Sequence, residues 1–301
     1  MTSRLPPLLE PYLSLPREAS LVVLTSVLGA STNWLVCRHL YALLKSSSHS
    51  APHSPSPPPL TGDATQQDPG NVAVLLVSFL RDFSFWKESL ARLGLDLEAA
   101  ARRGSFGYVD GLAGDLFSQG QGQRQQQQQQ QQRVGWRRAV TSATPGEIGR
   151  VVFQGVEQLQ RGLTTASAST ESRERKVVLV IDGLDFVLAA SDPTPGAAMA
   201  LTEMLMELRE KTHAAIVTLA ADDPLIKEQE TTLEKQHAWF TLSMVHQADK
   251  VLSLRLLDTG AAKDVSGVIR ITHGGKPHTR DHEYLYHVGG DGGVRVFERG
   301  Q

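Results

Sequence analysis

Residues 21–40 have the layout of a phosphate-binding loop but lack the residue that would carry its charge. A working P-loop follows the pattern G-x-x-x-x-G-K-[ST], in which glycine amides cradle the phosphates, the lysine contacts them and the hydroxyl binds Mg²⁺. When Gly29 is aligned with the second glycine, Leu24 stands at the first. Ala30 then replaces the lysine and Ser31 supplies the hydroxyl. The sequence therefore predicts the shape of the loop without the cation that would hold a triphosphate.

An aspartate ends one of the apolar runs of the chain. Residues 177–181 lead into Asp182, a pattern typical of a Walker B strand, whose carboxylate helps to hold Mg²⁺. The alternative is structural, because a carboxylate at the end of a central strand can accept hydrogen bonds from the next turn or cap the next helix. Without a P-loop lysine we favour the structural role, and we assign Asp185 to the same turn.

The position of the catalytic base also lacks an acidic residue. In RecA-like ATPases an acidic residue just after the second strand polarises the attacking water. Here Leu80 and Arg81 occupy that place. Asp82 is the nearest carboxylate, and we predict that it caps a helix that begins at Phe83. We therefore predict no catalytic residue and no nucleotide-binding residue.

The sequence offers no convincing metal site, cofactor site or reactive nucleophile. Of its ten histidines, two pairs have H-x-x-x-H spacing, but both lie beside prolines in segments that resemble loops: His49 with His53, and His278 with His282. The single cysteine, Cys37, excludes an intrachain disulfide and fits a reducing compartment. We expect it to be a small buried apolar residue on a helix.

Positive charge is local rather than global. The chain has 30 Lys and Arg against 32 Asp and Glu, so a basic field typical of nucleic-acid binding is absent from its overall charge. Arg133, Arg137 and Arg138 nevertheless surround Trp136, and guanidinium groups beside an aromatic ring can bind phosphates and stack on bases. The alternative, which we favour, is a solvated loop anchored by one tryptophan.

The elements that must position these residues alternate along the chain. Short apolar runs typical of buried parallel strands occur at 21–24, 72–77, 106–109, 177–181, 215–219 and 250–254. Amphipathic helical patterns lie between them at 32–44, 83–93, 148–162 and 197–213. Shorter, partly alternating runs follow at 250–257, 267–272, 284–287 and 294–297. We predict an α/β fold, a mostly parallel central sheet with helices on both faces and a C-terminal antiparallel extension.

Two segments have too few large apolar side chains to offset the entropy of ordering. They are the Ser/Pro-rich stretch 46–70 and the Gln-rich stretch 118–133, which we interpret as disordered insertions in a single domain that spans 1–301. No secretory signal is evident at the N-terminus. The apolar stretch 21–44 is not expected to cross a membrane, because Asn33, Arg38 and His39 are costly in hydrocarbon.

In this order the pieces resemble the RecA/KaiC-like ATPase core. The resemblance runs over residues 5–297 outside the low-complexity stretches, and its most specific parts are VSFLRDFSFW with a following LGLDL, and HQADKVL before GVIRI. The terminal YLYHVGGDGGVRVF resembles the last strands of that core. A chain that keeps every strand and loses the catalytic motifs is most similar to the Elongator complex protein 6 family.

This resemblance implies a function by assembly. In that family three related RecA-like subunits, Elongator proteins 4, 5 and 6, form a hexameric ring of two heterotrimers. The ring binds tRNA, its ATP hydrolysis affects tRNA release, and the whole complex takes part in modifying wobble uridines. The resemblance thus implies a noncatalytic subunit that contacts tRNA. It also implies a cytoplasmic location, and whether part of the protein enters the nucleus stays open. It further implies that the other Elongator subunits are partners and that the chain does not associate with a membrane.

Two other functions stay open at this point. The first is an active RecA/KaiC-like ATPase or kinase with an unusual loop, for which Ala30 is the discriminating position. The second is a RecA-related DNA recombination paralogue, which would have to bind single-stranded DNA. Under the assembly hypothesis, the degenerate P-loop side and the opposite flank both serve as protein interfaces.

Overall fold

The computed structural model describes residues 4–46, 71–112, 135–162, 175–190, 196–257, 262–274 and 281–298. The predicted insertion at 118–133 lies outside the described residues, and so does the predicted insertion at 46–70 apart from Ser46 and its helix. Arg133 also lies outside the described residues.

The described strands form one sheet in the order β10-β9-β8-β7-β1-β6-β5-β2-β3-β4. Their bounds are β1 (Ser20–Ser26), β2 (Val72–Ser78), β3 (Phe106–Asp110), β4 (Arg137–Ala139), β5 (Lys176–Asp182), β6 (Ala214–Ala220), β7 (Lys250–Arg255), β8 (Gly267–His273), β9 (His282–Val288) and β10 (Val294–Phe297). Pairing is parallel from β7 to β4 and antiparallel from β7 to β10. The predicted fold class is confirmed.

Helices cover both faces of this sheet. Their bounds are α1 (Glu10–Leu13), α2 (Asn33–Ser46), α3 (Phe83–Arg92), α4 (Leu97–Arg102), α5 (Pro145–Arg161), α6 (Phe186–Ala190), α7 (Ala197–Glu210) and α8 (Thr232–Gln247), with a 3₁₀ turn at Pro7–Leu9 and a π-helical turn at Pro224–Glu228. Helices α1 to α4 pack in one core layer and α5 to α8 in the other.

The central strands are apolar throughout because both of their faces are buried. In β2, Val72, Val74 and Leu76 belong to the layer with α1 to α4. Ala73, Leu75 and the other alternate residues of the strand belong to the layer with α5 to α8. This two-fold alternation is the geometry of a strand, and it explains why the sequence shows a continuous apolar run rather than an alternating one.

The apolar pattern does not predict α8, whose apolar residues surround the helix. Its start is nevertheless marked by a capping box. The Thr231 hydroxyl accepts the Glu234 amide at 3.2 Å, and a Glu234 carboxylate oxygen accepts the Thr231 amide at 2.8 Å. The prediction that Asp82 caps α3 is confirmed, since Asp82 Oδ1 accepts the Phe85 amide at 2.9 Å. Within the described residues, no helix is both long and apolar enough to span a bilayer.

Candidate functional site

Strand β1 continues through positions where a P-loop would already have left the sheet. Leu24 and Ser26 pair with β6 on one side and with β7 on the other. The first three residues of the motif, 24–26, are therefore strand residues, and their amides face neighbouring strands rather than a ligand. The turn itself is short: the Ala30 amide donates to the Val27 carbonyl at 2.9 Å, and Gly29 has φ +89°.

A carboxylate of the same chain accepts an amide of this turn. The Leu28 amide in this turn donates to Asp222 Oδ1 at 2.6 Å, across 194 residues of sequence. The Ser31 hydroxyl accepts the Asn33 amide at 3.2 Å and so helps to start α2. Ala30, at the lysine position, is buried in the core at 1% exposure. The turn thus directs the Leu28 amide at the Asp222 carboxylate and places the Ala30 side chain in the core.

Asp182 is a fully buried member of a hydroxyl network. Its Oδ2 accepts the Ser78 hydroxyl at 2.9 Å and its Oδ1 accepts the Thr218 hydroxyl at 3.3 Å. Thr218 Oγ1 in turn accepts the Gly183 amide at 2.7 Å. These bonds join the C-terminal ends of β2, β5 and β6. The partners of Asp182 are thus hydroxyls on neighbouring strands, whereas the sequence led us to expect donors in the next turn or a role as helix cap.

Burial dominates the electrostatics of this network. It raises the pKa of Asp182 to about 6, against the opposing effects of the two hydroxyl bonds and of Arg81. Asp185 also has a raised pKa because it is buried, and it accepts the Ala220 amide at 3.1 Å. His237 Nδ1 lies 3.9 Å from Asp185 Oδ2. The two aspartates therefore belong to one buried cluster, in which each disfavours the ionised form of the other.

Leu80 covers the turn that follows Asp182. Gly183 has φ +74°, and a Cβ at this position would lie 2.5 Å from Leu80 Cγ. The place of the catalytic base thus holds an apolar side chain that packs over Gly183, while Asp82 serves as a helix cap. Only glycine therefore fits at position 183, between the turn after β5 and the Leu80 side chain.

Exposed leucines follow several strands at this edge of the sheet. Leu28, after β1, is 86% exposed, and Leu256, after the adjacent β7, is 47% exposed. The two loops touch, since a Cβ at Gly29 would lie 3.3 Å from Leu256 Cδ1. Leu80, after β2, is 43% exposed. We call Leu28, Leu80 and Leu256 the leucine edge. No local sequence signal marks it, because its members come from distant loops.

Within the described residues, the arginines predicted to surround Trp136 do not form one cluster in the fold. Trp136 is half-buried, with its ring centroid 5.2 Å from that of Phe83. Arg137 lies over the same Phe83 ring and reaches Asp110 Oδ2 at 3.4 Å. Arg138, on the next residue of β4, donates to Gln158 Oε1 at 2.6 Å. Trp136 therefore anchors this segment, as we favoured from the sequence. The segment itself is strand β4 and not a solvated loop, because it pairs with β3 and its arginines are half-buried.

A groove of about 450 Å³ nonetheless runs beside β4 and the start of α5. Arg137, Arg138 and Arg150 line it together with Glu147. Arg150 forms a two-bond pair with Glu147, at 2.9 and 2.8 Å, so part of its charge is neutralised. The sequence analysis missed Arg150, which lies one helix turn inside α5 and approaches β4 only in the fold.

The described residues do not bring potential metal ligands together either. In the described part of the chain, no group of three or more His, Cys, Asp or Glu side chains could hold a metal ion. His49, His53 and His278 lie outside the described residues. Cys37 is buried on α2, and burial raises the pKa of its thiol to about 12, which fits the expected apolar role.

Comparisons with known proteins give the family and the fold of the chain. A family model described as Elongation complex protein 6 matches residues 69–288. Among solved structures, the chain is similar to a KaiC-like protein from the hyperthermophilic archaeon Pyrococcus horikoshii OT3, with a TM-score of 0.54 and 14% sequence identity. That alignment covers 99% of this chain and 98% of the archaeal one, and at this identity it shows the fold alone. A search of curated proteins finds no match.

Proposed function

This chain belongs to the Elongation complex protein 6 family, and from that premise we propose that it is a noncatalytic subunit of the Elongator complex. In this proposal it joins Elongator proteins 4 and 5 in a hetero-hexameric RecA-like ring that binds tRNA and supports wobble-uridine modification. Its own contribution is to present surfaces to the neighbouring subunits and to the RNA, without binding a nucleotide.

The turn after β1 is the observation that carries the proposal. Its Leu28 amide is bonded to the Asp222 carboxylate, so a triphosphate would meet a negative charge rather than a free donor. No lysine compensates, because Ala30 lies in the core. Leu28 and Leu256, the two members of the leucine edge at this turn, are apolar and exposed, and such surfaces mark sites of protein association. We therefore assign the leucine edge to one ring interface.

A second apolar surface supports two-sided assembly. Helices α7 and α8 pack against each other on one face of the sheet. Met199 and Met206 on α7 are 56% and 43% exposed, and Trp239 and Leu242 on α8 are 46% and 45% exposed. A subunit inside a ring needs two such surfaces, one for each neighbour. We assign these four residues to the second interface.

RNA contact is proposed at the groove beside β4. Arg138 and Arg150 line it, and arginine is well suited to phosphate because its planar fork can donate two bonds. Arg137 adds a third guanidinium, and Arg133 precedes the strand in sequence. In this arrangement the groove contacts the RNA backbone, while Trp136 remains an anchor rather than a stacking platform.

Co-expression of the full chain with Elongator proteins 4 and 5 tests the assembly. Size-exclusion chromatography should give a ring-sized complex with the unaltered chain. Leu28→Asp combined with Leu256→Asp should weaken assembly by about 100-fold, because a buried unpaired carboxylate in an interface costs several kcal/mol. The matched control is Arg102→Asp, an exposed change at the end of α4.

The outcome separates the proposal from the alternatives. Loss of the ring in the double variant, with normal assembly of the control, supports the proposal. A chain that elutes as a stable monomer beside both partners, or a ring unaffected by charges on the leucine edge, contradicts it. Circular dichroism of the purified double variant shows whether it is folded, since both leucines are exposed and their replacement should leave the fold intact.

A further inference from the structure

A small cavity lies on the α2 side of the sheet, apart from the leucine edge and from the groove beside β4. Its volume is about 160 Å³. Trp34, Cys37 and Arg38 line it from α2, Arg92 lines it from α3, and Gly292 lines it from the turn between β9 and β10. Nothing in the proposed ring function uses this cavity.

The wall of the cavity contains a buried guanidinium without a counter-charge. Arg38 is 3% exposed, and its Nη2 donates to the Gly292 carbonyl at 3.0 Å. Its Nε is buried and has no hydrogen-bond partner. Within the described residues Arg38 forms no ion pair with a carboxylate, and burial lowers its pKa below the ordinary value. A buried cation in this condition is strongly disfavoured unless an anion joins it.

Two further lining residues carry donor groups, Trp34 and Arg92. The Trp34 indole nitrogen is buried next to the Tyr286 hydroxyl, close enough to affect the pKa of that phenol but without forming a hydrogen bond of good geometry. Arg92, in the last turn of α3, adds a second guanidinium to the lining. Cys37 does not oppose an anion, because its thiol stays neutral with a pKa of about 12.

We propose that this cavity binds one oxyanion group, a phosphate or a carboxylate, held by the guanidinium groups of Arg38 and Arg92 with the Trp34 indole N–H as a third donor. Both groups match the fork of an arginine, which donates two parallel bonds to two oxygens.

The size of the cavity limits the ligand. A volume of about 160 Å³ holds a few water molecules or one tetrahedral or planar anion with part of its carrier. Pockets that enclose whole small-molecule ligands are typically about 300–1,000 Å³. The site therefore takes the anionic end of a ligand and not a complete nucleotide.

The indole resonance of Trp34 reports on occupancy directly. The chain has four tryptophans, so a ¹H–¹⁵N spectrum of the full-length protein shows four indole signals, and Trp34→Phe assigns the one of interest. Sodium phosphate and sodium acetate are titrated separately at constant ionic strength against sodium chloride. We expect a saturable shift of the Trp34 signal with at least one of them. Saturation by phosphate alone assigns a phosphoryl ligand, and saturation by acetate as well assigns the carboxylate class.

Two variants make the test decisive. Arg38→Met removes the buried charge and should abolish saturation, and Arg92→Gln, at an exposed position that does not endanger folding, should raise the midpoint by about tenfold or more. Arg102→Gln, an exposed arginine outside the cavity, should leave the midpoint unchanged. No saturable shift with either anion, or a shift that persists with an unchanged midpoint in Arg92→Gln, overturns the proposal.

Discussion

Replacing the buried aspartate Asp182 by asparagine should change how the stability of this protein depends on pH. Asparagine has the same shape and keeps an oxygen for the Thr218 hydroxyl, while its amide can donate to Ser78. What it loses is the ability to ionise. The substitution therefore isolates the free energy of holding a charge at the end of β5.

The magnitude follows from the raised pKa of Asp182, which is about 6 in the fold against an ordinary value of 3.8. The folded state then binds the proton more tightly than the unfolded chain, so stability is highest below about pH 4 and falls as the pH rises to about 6. Each pKa unit corresponds to about 1.4 kcal/mol, so the loss is about 3 kcal/mol. The pKa of Asp185 is also raised, so Asp185 changes the stability in the same direction with pH in the unaltered chain and in the variant.

Urea denaturation of the unaltered chain and of Asp182→Asn, between pH 4.5 and 7.5, measures this effect. The difference in unfolding free energy should shift in favour of the variant by about 2–3 kcal/mol across that range. Asp223→Asn serves as the control, because Asp223 is exposed and pairs with Lys227 on the surface. A difference that is independent of pH, or that shifts against the variant, would refute the view that burial dominates at Asp182.

Three further predictions concern the same region and the helix that sequence patterns miss. Ala30→Lys should not create a nucleotide site but destabilise the fold by about 3 kcal/mol, because the ammonium would enter the core. Ser31→Lys, at an exposed position, should cost only about 1 kcal/mol through loss of the bond to the Asn33 amide, and chemical denaturation distinguishes the two variants. Gly183→Ala should cost about 1–3 kcal/mol because of its positive φ and because the new Cβ must displace Leu80, whereas Gly146→Ala, with open space around it, should be within about 0.5 kcal/mol of the unaltered chain by thermal unfolding. Thr231→Ala should cost about 1 kcal/mol through loss of the capping box, and an effect below the error of the melt would contradict that role.

Much of the fold could be predicted because local chemistry and burial agree there. The run that forms β5 is apolar throughout, and it is covered on both faces, as the pattern predicts. Asp82 precedes a helix with a helical apolar stripe, and it caps that helix. In contrast, α8 has apolar residues on all sides because Phe240 faces the core while Trp239 faces outward. A periodicity argument cannot find such a helix.

The site could be predicted only in outline, because its decisive contacts are not local. The missing lysine is readable at Ala30, but the carboxylate that accepts the Leu28 amide comes from a loop 194 residues away. The extension of β1 through Ser26 depends on pairing with both β6 and β7. Likewise, Arg38 appears in the sequence as one charge on an apolar helix, and only the packing of the turn at Gly292 shows that it is buried.

The central claim is that the turn after β1 no longer binds nucleotide, and calorimetric titration of Mg-ATP into the isolated chain tests it most directly. The account predicts no micromolar binding, for the unaltered protein and for Asp182→Asn alike, and any weak heat at millimolar nucleotide should disappear in Arg38→Met. Micromolar binding by the unaltered chain that disappears in Asp182→Asn, with the variant still folded, would contradict it.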